Sequence, residues 1–179
     1  MAVLLVGLAG APADATTVLG RLLADAGLRA ELRRDPDGLA RSLDADPAEL
    51  RGLDPEGLEA QAETLFEKRV HEAGKLLPVT MARLGEEATP LFRQHAERFW
   101  PQGHRRHAED AAAFGRFLED RQLPRCRSEL NRLRFALGTR RVSAGFVQDA
   151  WVDGRPRCAL QILYRRRGGV RSLALYLGF

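Results

Sequence analysis

The spacing of apolar residues changes near residue 140, and this change constrains the fold more than any other feature of the sequence. Before it, apolar residues recur every three or four positions, as in amphipathic helices. After it, they alternate with polar residues over about 35 positions, as in strands. The pattern predicts an α+β protein, in which a mostly α-helical bundle precedes a small three-stranded antiparallel sheet packed on a helix. We expect a helical domain at residues 1–120 and a helix-plus-sheet domain at residues 121–179.

Aspartate–proline pairs mark helix starts in the first part of the chain. Asp35-Pro36, Asp46-Pro47 and Asp54-Pro55 each place a capping carboxylate before a proline that suits the first helical turn. The front segment, residues 1–55, is therefore predicted to contain short helices that extend the helical domain. A longer helix follows and should break near Lys75–Pro78, because proline removes a helical donor and clashes with the preceding turn.

Three segments alternate like strands, and glycine-containing turn signals at Asp153-Gly154 and Gly168-Gly169 separate them. The segments are Phe146–Val152, Arg157–Tyr164 and Val170–Leu177. The apolar row of the middle segment consists of Cys158, Leu160, Ile162 and Tyr164. An apolar row of a small sheet needs a cover, and the helix predicted at Leu123–Leu137 is the nearest candidate.

Charge is distributed unevenly along the chain. Residues 1–66 carry twelve acidic and six basic side chains, whereas residues 121–179 carry three acidic side chains and thirteen arginines. Arginine pairs bidentately with carboxylates and phosphates, so the basic rear favours an anionic partner: an acidic peptide, an acidic protein surface or nucleic acid. The alternative is that the acidic front packs on the basic rear.

The longest apolar run, residues 2–11, is about half as long as a membrane span of roughly 20 residues. It lacks a basic segment before it, so a buried strand or a misplaced start fits better than a secretory signal. The two cysteines, Cys126 and Cys158, cannot form a disulfide framework. We expect a cytoplasmic protein, without membrane contact, whose reduced thiols pack on apolar faces.

One group of residues resembles metal ligands: His104, His107, Glu109 and Asp110, with His95 nearby. His104 lies in a predicted loop beside Pro101, so we favour a solvated polar loop and predict no metal and no cofactor in this chain. The sequence contains no nucleophile elbow, phosphate-binding loop or dinucleotide fingerprint. We therefore predict no catalytic residue and do not expect an enzyme.

A helix, a proline break and a second helix run from Lys68-Arg69-Val70 through Leu77-Pro78-Val79-Thr80-Met81-Ala82-Arg83-Leu84-Gly85. The pattern continues with Leu91-Phe92, Phe99-Trp100-Pro101 and Phe114-Gly115-Arg116-Phe117-Leu118. Over about residues 60–137 this pattern resembles the HvfC-like family, whose label names a DNA-binding domain and which includes the MbnC-like proteins of peptide natural product biosynthesis.

The resemblance implies a non-catalytic partner subunit of a multinuclear iron-dependent oxidase with a TIM-barrel fold. Such a subunit recruits the leader of a ribosomally made precursor peptide for post-translational modification. The iron belongs to the oxidase, so the resemblance implies no catalytic residue, metal or cofactor in this chain. It also implies that the C-terminal sheet, residues 121–179, is a peptide-recognition element.

The residues themselves also point to peptide binding, because a small sheet with an accessible edge can accept an extended peptide as an extra strand. We expect Trp151 to share a row with Val147 and Asp149, opposite to Phe146. The predicted peptide-binding residues are Phe146, Val147, Trp151, Tyr164, Arg166, Arg171, Leu173 and Tyr176. The predicted interface with the oxidase consists of Phe66, His71, Pro78 and Trp100.

Other interpretations remain open at this point. The arginines could serve only to protect the sheet edge from aggregation, and Trp151 could pack against the helical domain. A DNA-binding transcriptional regulator would place the Arg125–Arg141 segment on phosphates. The acidic front and the lack of a clean helix-turn-helix make DNA the weaker partner. A stand-alone interaction module without an oxidase is the third reading.

Overall fold

The computed structural model describes residues 14–152, 155–166 and 169–176. Its helices are α1 (Ala15–Ala24), α2 (Ala26–Arg34), α3 (Pro36–Leu43), α4 (Pro47–Arg51), α5 (Pro55–Leu76), α6 (Pro78–Leu84), α7 (Ala88–Ala96), α8 (Arg106–Asp120) and α9 (Arg127–Leu137), with a 3₁₀ turn at Gly85–Glu87. Its strands are β1 (Val142–Val152), β2 (Arg155–Arg166) and β3 (Gly169–Tyr176). Helices followed by a small antiparallel sheet confirm the predicted α+β class.

Several predicted features fall outside the described residues. They are the apolar segment at residues 2–11 and the turn signals at Asp153-Gly154 and Gly168. Within the described ranges, no helix combines the length and the apolar character needed to cross a membrane.

Contacts divide the chain into two compact units, Met1–Leu65 and Phe66–Phe179, and the boundary between them falls inside α5. The predicted domain boundary near residue 120 stays a prediction. The first unit has a core of its own, rich in leucine. Its buried members include Val18, Leu22, Leu32, Leu39, Leu43, Leu50 and Leu58.

Aspartate side chains start the helices of the first unit, as the sequence predicts. The Asp35 carboxylate accepts a hydrogen bond from the Gly38 N–H at 2.8 Å, and Asp46 accepts one from the Ala48 N–H at 2.8 Å. Asp54 accepts one from the Gly57 N–H at 3.0 Å. These caps satisfy amide donors that the first turn of a helix leaves unpaired, so the predicted caps are confirmed.

The second unit begins with the end of α5 and the predicted proline break. Helix α5 ends at Leu76 and α6 begins at Pro78, which confirms the break. The helices of this unit enclose an aromatic core in which Phe92 and Phe114 are fully buried, with their ring centroids 4.9 Å apart. Helix α9 connects this core to the sheet at the end of the chain, because its Leu130 and Leu133 are part of the core.

The sheet is an antiparallel meander with the strand order β1-β2-β3. Consecutive strands pair in register from Val142 opposite Tyr164 and from Gly169 opposite Arg166. The register of β1 shifts between Val147 and Ala150, where β1 holds one residue more than β2. This bulge interrupts the alternation of faces along β1.

Candidate functional site

Helix α9 supports the sheet. A carboxylate of α9 caps the start of α6, and this contact also holds α9 in place. The Glu129 carboxylate accepts hydrogen bonds from the N–H groups of Val79 and Thr80, at 2.7 and 2.9 Å, and from the Thr80 hydroxyl at 2.8 Å. The Thr80 oxygen in turn accepts the Cys126 N–H at 3.0 Å. Since Leu77 provides no side-chain cap for α6, Glu129 takes that role and ties α9 to the proline break.

Polar side chains of β2 fasten one face of the sheet to α9. The Arg165 guanidinium donates to the carbonyls of Phe135 and Gly138 at 2.9 and 2.8 Å, which caps the end of α9. The Gln161 amide donates to the Ser128 carbonyl at 3.0 Å. Buried Leu163 lies on this same face. We call it the helix-facing side of the sheet.

The opposite face of the sheet is apolar and open. Three cross-strand rows build it, and because directly paired residues share a face, their members lie side by side. The rows are Phe146–Leu160–Leu175, Ala144–Ile162–Leu173 and Val142–Tyr164–Arg171. We call these nine positions the apolar face.

Most large side chains of the apolar face are exposed, whereas Leu160 and Ile162 of the central strand are half-buried. Phe146 is 73 % exposed, Val142 63 % and Leu173 51 %. A single exposed leucine is ordinary, but contiguous exposed apolar rows mark an interaction surface. Exposed Arg171 stands within the face, and exposed Arg166, which pairs with Gly169, continues the same side of β2. The face is thus apolar in the middle and cationic at one end.

This arrangement corrects the predicted cover. Helix α9 packs on the sheet, but on the row of Ala159, Gln161 and Leu163 and not on the more apolar row of Leu160 and Ile162. The physical reason is that side chains of the helix-facing side donate hydrogen bonds to carbonyls of α9. The small residues on that side also leave space for the backbone of α9. Counting apolar residues selects the opposite row.

The structure brings part of the predicted peptide-binding set together. Phe146, Tyr164, Arg166, Arg171 and Leu173 all lie on the same side of the sheet and are exposed.

The remaining members of the peptide-binding set are Val147, Trp151 and Tyr176. Val147 is only 1 % exposed and belongs to a small cluster with Ala150 and Ala159. The side chains of Trp151 and Tyr176 lie outside the described part of the structure. The bulge places Trp151 opposite Pro156, so the predicted uninterrupted row of Val147, Asp149 and Trp151 is wrong.

The four residues predicted to contact an oxidase do not form an equally exposed surface. His71 and Pro78 are exposed. Phe66 is 9 % exposed and lies under the Arg93 guanidinium, 3.8 Å from its ring centroid. Trp100 is half-buried beneath the Arg69 guanidinium, at 5.0 Å. Little of Phe66 is therefore left for a partner.

A buried ionic network, which the sequence reading missed, lies in the helical part of this unit. Arg69 donates two hydrogen bonds to the Asp110 carboxylate, at 2.8 and 3.0 Å, and a third to the Phe99 carbonyl at 2.8 Å. His95 Nε2 lies 3.0 Å from Asp110 Oδ1. Asp110 is 2 % exposed and His95 3 %. The sequence feature that could have indicated this network is the placement of Arg69 and His95 on otherwise apolar helix faces.

The network holds Asp110 in its charged form. Burial raises the pKa of Asp110, but hydrogen bonds from His95 and Arg69 and the charge of Arg69 outweigh burial and hold this pKa below its usual range. Because aromatic rings surround His95, the three side chains are closed to solvent. Their arrangement joins α5, α7 and α8 and fits a structural role.

The residues that resemble metal ligands in the sequence do not come together. His95 and Asp110 belong to the buried network, while His104 is exposed. Among the described residues, no group of three or more His, Cys, Asp or Glu side chains is placed to hold a metal ion. Cys126 is buried, as expected, but Cys158 is exposed, which contradicts its predicted packing.

Comparison with known protein families gives one match. Residues 33–120 match the SCO6045-like, C-terminal domain family. The SCO6045-like segment runs from α2 to the end of α8 and so contains Arg69, His95 and Asp110, but it stops before α9 and the sheet. No curated protein and no solved structure gives a significant match to the chain. The buried network therefore lies within the segment that the family model matches, and the apolar face lies beyond it.

Proposed function

We propose that this chain is a non-catalytic binding subunit that recruits an extended, acidic peptide through its C-terminal sheet. The observation that carries the proposal is the apolar face with arginine at one end. Exposed Phe, Leu and Val side chains that lie side by side on a folded sheet favour association with another chain. The charge of Arg166 and Arg171 selects a partner that brings carboxylates.

Strand addition is the binding mode that fits a sheet of this size. In the order β1-β2-β3, the outer strands β1 and β3 each present one edge. A peptide that pairs with such an edge gains backbone hydrogen bonds, and its alternate side chains extend the rows of the sheet. A peptide along β3 would place its side chains beside Leu173, Leu175 and Arg171.

The peptide proposed is the leader of a ribosomally made precursor, and the proposed recipient is a multinuclear iron-dependent oxidase of TIM-barrel fold. Support comes from the resemblance of residues 60–137 to HvfC-like and MbnC-like partner proteins. In that arrangement the iron and the chemistry belong to the oxidase. Exposed His71 and Pro78 are the members of the predicted interface most accessible to it.

Several rear arginines already have partners within the fold, which weakens the DNA-binding alternative. Arg134 pairs with Glu119, Arg125 lies 3.7 Å from the same carboxylate, and Arg165 caps α9. Fewer arginines are therefore available for phosphates than the count of thirteen in residues 121–179 suggests. Binding carried by phosphate contacts would fall steeply with salt.

A charge-reversal experiment tests the proposal. The full chain is titrated with a labelled extended peptide in which every second residue is a valine or, toward one end, a glutamate, with serines between them, so that valines and glutamates share one face. Its affinity is compared with that for Arg166→Glu/Arg171→Glu. We expect at least about tenfold weaker binding, because reversed charges repel the peptide. Arg106→Glu/Arg116→Glu changes the net charge equally, on exposed positions of α8, and should bind like the unaltered chain.

Equal weakening in both variants would show that only net charge matters and would overturn the assigned site. Random duplex DNA in the same assay tests the DNA-binding alternative. Salt-sensitive DNA binding without peptide binding would favour a regulator and overturn the proposal. Co-purification from the native host, with iron analysis, tests the oxidase. An iron-bearing protein that elutes with the unaltered chain is the expected result, and its absence would leave a stand-alone module.

A further inference from the structure

The two outer strands of the sheet offer different edges to a peptide. Strand β3 pairs with β2 without any shift of register, whereas β1 carries the bulge that follows Val147. A bulge bends a strand and interrupts its pairing. Strand β3 also places Arg171 on the apolar face, whereas the three positions of β1 on that face are all apolar. Both differences favour β3 as the edge that receives an acidic peptide.

One backbone hydrogen bond shows which amides of β3 point outward. The Arg165 N–H donates to the Arg141 carbonyl at 2.9 Å, so the backbone of Arg165 bonds on the side of β1. Because bonded and non-bonded positions alternate along an antiparallel pair, the even-numbered residues of β2 bond toward β3. Their partners in β3 are odd-numbered and bond inward. The even-numbered residues of β3, which include Val170, Ser172 and Ala174, therefore direct their N–H and C=O groups to the outer edge.

The outward amides determine where the side chains of an added strand lie. An antiparallel strand that bonds to Ser172 and its even-numbered neighbours meets Arg171, Leu173 and Leu175 at the positions between those bonds. Side chains come closest at such positions, where Cα atoms are about 4.5 Å apart. These three side chains are exposed, so each can contact one side chain of the peptide. A parallel strand pairs slightly less stably, and the edge therefore favours an antiparallel peptide.

A second arginine lies on the same side of the sheet, next to the first residue of β3. Exposed Arg166 pairs with Gly169, and a Cβ built at Gly169 would meet no heavy atom of the described residues within 4 Å. Neighbouring strands lie about 4.8 Å apart, so the row is open from Arg166 to the outer edge. Within the described part of the chain, neither Arg166 nor Arg171 forms a hydrogen bond or an ion pair. Two uncommitted cations thus lie where β3 begins.

We infer that β3 binds the peptide as an antiparallel strand in which two apolar residues precede two acidic residues, at every second position. This inference rests on the proposed peptide binding and adds the edge, the direction and the order of residues. Because β3 runs from Gly169 to Tyr176, an antiparallel peptide runs the opposite way. Its apolar side chains come first and lie beside Leu175 and Leu173.

The carboxylates of the peptide then follow at the arginine end of the edge. The first acidic side chain lies beside Arg171 and pairs with its guanidinium. The second lies beside Gly169, which has no side chain, and faces Arg166 across the open row. Arg171 and Arg166 are therefore the residues that determine the direction in which the peptide binds.

Two unlabelled peptides of identical composition test the direction. Both carry serine at alternate positions, and both are acetylated and amidated so that their ends are uncharged. The valine-first peptide places two valines before two glutamates, and the glutamate-first peptide has the reverse order. Isothermal titration calorimetry with the full chain should show at least about tenfold tighter binding of the valine-first peptide, because the reverse order sets carboxylates beside Leu173 and Leu175.

The variant Arg171→Gln tests the assigned cation. It should reduce the preference for the valine-first peptide at least about threefold, since the first carboxylate loses its partner. Arg157→Gln, at an exposed arginine of β2 outside the apolar face, is the matched control and should retain the full preference. A preference unchanged by Arg171→Gln would overturn the role of this arginine.

Methylation of single amide nitrogens in the valine-first peptide tests the edge. At β3 the serine amides bond to the sheet, so methylating the serine between the two valines should weaken binding at least about tenfold. Methylating the second valine should weaken it less than about threefold, because that N–H points away from β3. A peptide on β1 would show the reverse, since the outward-bonding residues of β1 are those of the apolar face, Val142, Ala144 and Phe146.

The outcomes separate the two proposals. Equal affinity for both peptides, or tighter binding of the glutamate-first peptide, overturns the direction and leaves peptide binding by the apolar face. Greater sensitivity to methylation at valine than at serine overturns the choice of β3 and also leaves peptide binding intact. Failure of both peptides to bind overturns the proposed function and this inference together.

Discussion

The buried network around Asp110 and the apolar face of the sheet differ in which side chains they expose to solvent. In the helices, charged side chains are enclosed and every major hydrogen bond of Asp110 is supplied by Arg69 or His95. In the sheet, large apolar side chains such as Phe146 stand in solvent. Each arrangement reverses the usual placement of its residues.

The comparison distinguishes the residues that stabilise the fold from the residues proposed to bind a partner. A buried ion pair is sensitive to the loss of one partner, since the other charge stays buried and uncompensated. Exposed apolar residues contribute little to folding, because they are not removed from water. Substitutions in the network should therefore change stability, whereas substitutions on the apolar face should change binding.

The largest expected effect is that of Asp110→Asn. It leaves the Arg69 guanidinium buried without its counter-charge and should lower the free energy of unfolding by about 3–5 kcal/mol. Urea denaturation followed by circular dichroism measures the change. The double variant Arg69→Met/Asp110→Leu removes both charges and should recover a large part of the loss; a double variant no better than the single one would contradict the ionic explanation.

A smaller loss is expected for Glu129→Ala. This change removes the acceptor for the N–H groups of Val79 and Thr80 and leaves α6 without its cap. The free energy of unfolding should fall by about 2 kcal/mol, at the upper end for helix caps. Glu86→Ala, at an exposed carboxylate, should stay within about 0.5 kcal/mol in the same denaturation experiment.

Acid should weaken the network in a defined direction. The folded-state pKa of Asp110 lies below its unfolded value, so its contribution is complete above about pH 4 and is lost as the pH falls through the folded pKa. Stability should decline below about pH 4 by up to about 1.4 kcal/mol per pH unit for this one group. Denaturation of Asp110→Asn should show a shallower decline over the same range, and parallel curves would refute the assignment.

The smallest change in stability is expected on the apolar face. Phe146→Ser and Leu173→Ser remove exposed side chains, and each should alter the free energy of unfolding by no more than about 0.5 kcal/mol. Leu173→Ser should weaken binding of the labelled peptide severalfold, as measured by fluorescence anisotropy, and Phe146→Ser should weaken it less, because β1 is not beside β3. A large loss of stability in either variant would show that the apolar face is part of the folded core.

Local rules account for most of what was predictable. The aspartate caps depend only on a carboxylate and amides two or three residues away, and the break at Pro78 depends only on the ring of proline. Both were predicted and both are present. The predicted strand segments also lie within β1, β2 and β3, apart from Leu177, which is outside the described residues.

The orientation of the sheet was not predictable in the same way. Alternation identifies two rows in β2 but does not state which row meets α9, and apolar content favoured the row of Leu160 and Ile162. Contacts distant in sequence decided otherwise: Gln161 reaches Ser128 and Arg165 reaches Phe135, 33 and 30 residues apart. The bulge after Val147 likewise depends on pairing with β2.

By itself, the sequence determined the order of helices and strands, the helix caps and the concentration of arginine at the rear. These follow from spacing and from interactions within a few residues. Tertiary structure alone decided that Asp110 meets Arg69, 41 residues away, and that the apolar face is the one left open. Periodicity states which residues share a face, but only the packing of one element on another decides which face is covered.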